Sequence, residues 1–150
     1  MTTLFIDADA CPVTREAISV ARSHGAHVML VADSNTNLEK YVRPGVEATS
    51  VSQGRDSADF AIVGMLQAGD VVVTQDIGVA AMALGRGASA VSPRGRIFYL
   101  ATIDAEMELR HAEARHRRAG GRTGGPSPFT GEDREHFVES LERLFRNAQV

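Results

Sequence analysis

Across the first two-thirds of the chain, short apolar, β-branched runs alternate with stretches whose apolar residues recur every three or four positions. Residues 4–7 (LFID) read as a first strand. Pro12 suits the first turn of a helix, where its missing N–H costs nothing; that helix turns Ile18 and Ala21 inward and stops at Gly25. Residues 27–32 (HVMLVA) show no polar alternation, so both faces of this strand are expected to be buried. Residues 35–45 read as loop and 46–51 as a short strand. Residues 56–68 are amphipathic, with Ala58, Ile62, Met65 and Leu66 on one stripe and Gly69 as terminator. Residues 70–75 (DVVVTQ) form the clearest buried strand. A helix of small residues at 77–84, a strand at 88–92, a turn at Arg94-Gly95 and a strand at 97–100 follow.

The last third changes character. Thr102 stands as the N-cap of a helix reaching Arg118. Residues 118–129 (RAGGRTGGPSPF) hold too much glycine and proline for a regular element and are expected to be a flexible connector. Thr130 and Asp133 resemble a capping box for a final helix with Phe137, Leu141, Leu144 and Phe145 on its inward stripe. The alternation predicts an α/β fold, a three-layer α/β/α arrangement around a mainly parallel sheet, in a single domain over residues 1–150.

A chain of 150 residues with 43% hydrophobic and 23% charged residues can bury its own core, and no apolar run approaches the length of a membrane span. No export signal is apparent, and the single cysteine, Cys11, excludes an internal disulfide framework, so the cytoplasm is the expected compartment and no membrane partner is expected. Charge is uneven: residues 1–93 sum to −4, residues 94–122 to +3 and residues 123–150 to −2. An acidic body with one basic stretch is not the footprint of a general nucleic-acid binder. It does suit a cation site beside a patch that steers phosphate.

Three groups of aspartates carry the candidate chemistry. Asp7 and Asp9 close the first strand, Asp76 follows DVVVTQ, and Asp56 and Asp59 open the helix before that strand. In open parallel sheets ligands bind beyond the carboxyl ends of the strands. Asp7, Asp9 and Asp76 would converge there if the first and fourth strands are neighbours. Gathered carboxylates repel one another, and a hard cation, Mg²⁺ or Mn²⁺, is the usual remedy. Taken singly, Asp9, Asp56 and Asp76 can each be a helix cap instead. Asp7, at a strand end that needs no cap, favours a metal site at Asp7, Asp9 and Asp76. Cys11 reads as a packing residue, with a catalytic thiol the lesser alternative. Arg94 is as readily an anion contact as a turn with solvated charge. The run from Arg110 (RHAEARHRR) reads as a solvated helix face.

DADACPV (residues 7–13), RDSADFAIV (55–63), GDVVVTQDIGVAA (69–81), SPRG (92–95) and TGGPSPFTGEDREHF (123–137) together resemble the YaiI/YqxD family of bacterial proteins, over nearly the whole chain. That family is grouped with the PIN-like domains, parallel sheets between helices whose active members cut RNA with aspartate-bound Mg²⁺ or Mn²⁺. The resemblance implies a nuclease-like site at Asp7, Asp9, Asp56, Asp59 and Asp76. The leading expectation is therefore metal-dependent hydrolysis of RNA or another single-stranded nucleic acid. Arg94, Arg117, Arg118 and Arg122 would orient the phosphate. A non-catalytic module that binds a nucleotide or RNA is the alternative. A phosphotransferase with Asp7 as nucleophile ranks last, because it needs a late lysine and Lys40 is the only lysine. The oligomeric state is left open.

Overall fold

The computed structural model describes residues 2–9, 11–33, 37–51, 57–121 and 127–148, with only the backbone of 57, 59, 60 and 148. Five strands form one all-parallel sheet: β1 (Thr3–Asp7), β2 (His27–Asp33), β3 (Val46–Val51), β4 (Val71–Val73) and β5 (Ser89–Val91). Their spatial order is β3-β2-β1-β4-β5, so β1 and β4 are neighbours, with Leu4 opposite Val71 and Ile6 opposite Val73. The chain runs outward from β1 in one direction, then crosses back and continues in the other.

Period-two alternation divides the strands between two cores. Leu4 and Ile6 face one layer, where α1 (Thr14–Ser23) and α5 (Gly131–Ala148) pack; Phe5 faces the other, with α2 (Ser57–Met65) and α3 (Ile77–Gly85). α4 (Ile103–Arg118) joins this second layer through Ile103, its only buried residue. The result is the three-layer α/β/α architecture expected from the strand–helix alternation. Phe137, Leu141 and Phe145, spaced four apart, present one fully buried stripe of α5. Each such side chain contributes roughly 2–3 kcal/mol of burial free energy. Thr130 and Asp133 form a capping box: the Thr130 N–H donates to Asp133 Oδ2 at 2.9 Å and the Asp133 N–H to Thr130 Oγ1 at 3.2 Å.

Several expectations need correction; Pro12, for one, precedes the Val13 N-cap of α1 instead of lying in its first turn. The run 70–75 is strand only over Val71–Val73, because Asp70 turns inward as a hydrogen-bond acceptor for the N–H groups of Thr3 (3.0 Å) and Gln67 (2.9 Å). Residues 97–100 are not a strand; Ile97 makes one antiparallel bridge to Val91, while Tyr99 and Leu100 are exposed. Thr102 occupies the N-cap position of α4 without a side-chain capping bond.

The turn at residues 92–95 is held from the opposite layer. Gly95 has φ +92°, and a Cβ there would lie 2.7 Å from the backbone of His136 and Phe137. Ser140 Oγ donates to the Gly95 carbonyl at 2.6 Å. Only glycine allows this approach.

Candidate functional site

Because β1 and β4 pair in parallel, their carboxyl ends deliver Asp7, Asp9 and Asp76 to one edge of the sheet. These three line a cavity of about 300 Å³ together with Cys11, Gln75 and Pro93. Thr74 joins the two strand ends: its hydroxyl donates to Asp7 Oδ2 at 3.4 Å and accepts from the Asp76 N–H at 3.0 Å. Asp9 accepts from the Asp33 N–H through both carboxylate oxygens, at 3.3 and 3.2 Å, which ties the loop after β1 to the end of β2. It does not cap α1, whose N-cap, Val13, makes no side-chain bond. Asp76 does cap its helix, Oδ1 accepting from Gly78 N–H (2.7 Å) and Val79 N–H (3.2 Å).

Burial, first, and the negative charge of Asp9, next, push the Asp7 carboxyl up to about 6, with Asp76 adding to the repulsion and the Thr74 hydroxyl opposing it. Burial also pushes the Cys11 thiol up, which disfavours the thiolate a nucleophile needs. Among the described residues, no three His, Cys, Asp or Glu side chains are gathered closely enough to grip one ion together. Mg²⁺ often keeps several waters and uses only one or two carboxylates. A cation in this cavity would have to be held in that looser mode, and it would relieve most repulsion at the Asp7 carboxyl. Asp59 lies in the first turn of α2, beyond the carboxyl end of β3; its side chain and the whole of Asp56 are outside the described residues.

A second depression, about 820 Å³, shares Gln75 and Pro93 with the first and runs along α4. Arg94, Arg96, Arg110 and Arg117 line it with Glu106 and Glu113. Arg94 is committed to the protein: it pairs with Asp133 (3.1 Å), bonds Ser127 through both hydroxyl and carbonyl, and lies over the Phe129 ring. Arg96 pairs with Glu106 and covers Phe98. Arg118 is exposed on α4 away from this lining, and Arg122 is outside the described residues. The solvated-face reading of α4 missed this groove. Its signal was the spacing of Glu106, Leu109, Arg110, Glu113 and Arg117, which puts all five on one helical face.

A family model described as "Uncharacterized BCR, YaiI/YqxD family" matches residues 5–147. The chain belongs to the YaiI/YqxD family. It is 42% identical to a UPF0178 protein of Exiguobacterium sibiricum, over 94% of each chain. A UPF0178 protein of Cereibacter sphaeroides is 44% identical over 99% of this chain and 91% of its own. One from Halalkalibacterium halodurans is 36% identical over 96% and 90%. No solved structure is a significant match. Among the described residues, no helix of this YaiI/YqxD protein is long and apolar enough to cross a membrane.

Proposed function

We propose that this protein is a metal-dependent phosphodiester hydrolase acting on RNA or another single-stranded nucleic acid. The observation that carries the reading is the shared cavity of Asp7, Asp9 and Asp76, opening beside an arginine-lined groove. Mg²⁺ or Mn²⁺ would supply an acidified water and neutralise charge on the scissile phosphate. Asp7, pushed up by burial and by Asp9 in the metal-free protein, is the carboxylate whose repulsion a bound cation would relieve most. The Asp33 N–H holds Asp9 in one orientation. Asp76 keeps one oxygen on its helix cap, and the N-terminal end of α3 beside it favours a phosphate's negative charge.

The test is incubation of purified protein with labelled single-stranded RNA and Mn²⁺, alongside Asp7→Asn and Asp9→Asn. Cleavage that requires the metal and falls at least a hundredfold in both variants supports hydrolysis. RNA that is bound but left intact under every metal would instead favour the non-catalytic binding module.

A further inference from the structure

We propose that the face of α4 bearing Leu109 and Arg110 is a track for a single-stranded nucleic acid leading away from the aspartate cavity. The inference rests on the phosphodiester reading for its substrate class alone. α4 buries only Ile103, so the rest of its length is not held in place for the core. Leu109 is nonetheless an apolar side chain, 61% exposed, on the wall of the groove that the arginines line. Arg110, one helical turn beyond Glu106, lines the same wall. Arg94 and Arg96 are held by Asp133 and Glu106, whereas Arg110 is exposed and has no ion-pair or hydrogen-bond partner among the described residues. It is therefore the groove cation whose charge is available to a ligand.

The other wall offers planar surfaces. The Arg94 guanidinium lies 5.8 Å from the Phe129 ring centre and that of Arg96 lies 5.9 Å from Phe98. Guanidinium planes backed by rings are surfaces on which unpaired bases stack. An acidic peptide would suit the arginines but brings no flat rings to the guanidinium–ring surfaces or to Leu109. A single-stranded nucleic acid brings unpaired bases to those surfaces and phosphates to Arg110. The strand is the better occupant.

Binding of a short labelled single-stranded RNA, followed by anisotropy in chelator, isolates this surface from any cleavage. Arg110→Glu should weaken binding by on the order of tenfold and reduce the salt slope by about 0.7 for each phosphate that is no longer neutralised. Arg115→Glu makes the same charge change on the opposite face of α4, and should alter affinity by less than about twofold. Leu109→Ala should weaken binding severalfold with the slope unchanged, since it removes an apolar surface for a base and no charge. All three positions are exposed, so thermal unfolding should match the parent. Equal losses from Arg110→Glu and Arg115→Glu, no RNA binding at low salt, or equally effective competition by an acidic peptide would each overturn the track. RNA held by Arg110 yet never cut with Mn²⁺ would keep the track and remove the hydrolase. Cleavage by Arg110→Glu with parental kcat and KM would do the reverse.

Discussion

Asp7→Asn should make the metal-free protein more stable at neutral pH, although it removes a native charge. The folded-state carboxyl sits at about 6 against an ordinary 3.8, because it is half-buried and faces Asp9 and Asp76. Below about pH 4 both folded and unfolded chains hold the proton, and Asp7 costs nothing. Between the two values the unfolded chain ionises first and binds fewer protons, so stability falls as pH rises. Above about 6 the penalty is complete. Two pKa units and a fraction correspond to about 3 kcal/mol; water at the partly open cavity screens this to roughly 1–2 kcal/mol. Asparagine removes the charge while its amide oxygen can still accept from Thr74. Urea unfolding in chelator should therefore show Asp7→Asn ahead by roughly 1–2 kcal/mol at pH 7.5, with the gap closing toward pH 4. A variant no more stable than the parent at pH 7.5, or a gap independent of pH, would refute the claim that Asp7 is strained by burial and like charge.

Asp76 separates capping from cation binding: Asp76→Ala should cost about 1 kcal/mol through the lost α3 cap, while Asp76→Asn should cost little. Mn²⁺ titration calorimetry should show both variants binding the ion more weakly than the parent; equal stability losses in urea, or parental affinity, would contradict this pair of roles. Gly95→Ala should destabilise by roughly 2–4 kcal/mol, since φ +92° and a 2.7 Å approach to the α5 backbone leave no room for a Cβ; a melting temperature unchanged from the parent would exclude that crowding. Phe137→Ala, fully buried between the sheet and α5, should cost roughly 3–5 kcal/mol in chemical denaturation, and a loss under about 1 kcal/mol would mean α5 is not part of the main core.

Strands are legible in the sequence wherever burial on both faces makes them continuously apolar, as in HVMLVA and VVV. The same signal misleads at residues 97–100: IFYL has a strand's composition, but the chain there is crossing the sheet edge with Tyr99 and Leu100 outward. Short apolar runs do not encode what lies beside them. Asp70 reads as a strand residue because nothing local reveals that its acceptors serve Thr3, 67 positions away. The aspartates are legible as a group because strand ends are recognisable and parallel sheets bind ligands at that edge. Which of them also serve as structural acceptors is not. The groove is the least visible feature. The α4 periodicity lies in the sequence, but its opposite wall comes from residues 92–98 and Phe129, which only tertiary packing brings near.

The pairing of β1 with β4 has a consequence for how the molecule acquires its chemistry in time. Asp7 and Thr74 touch across 67 residues of intervening chain, and no turn or hairpin brings them together early. Parallel pairings of this separation form late, once loop-closure entropy has been met by other contacts. A collapsed intermediate with β1, α1 and β2 in place would carry Asp7 and Asp9 without Asp76, and so without the cavity. Local opening of β4 would dismantle it just as completely. A ligand that bridges the two strand ends therefore ties together segments 67 residues apart, and stabilises the folded sheet by as much as it prefers that sheet to the opened one.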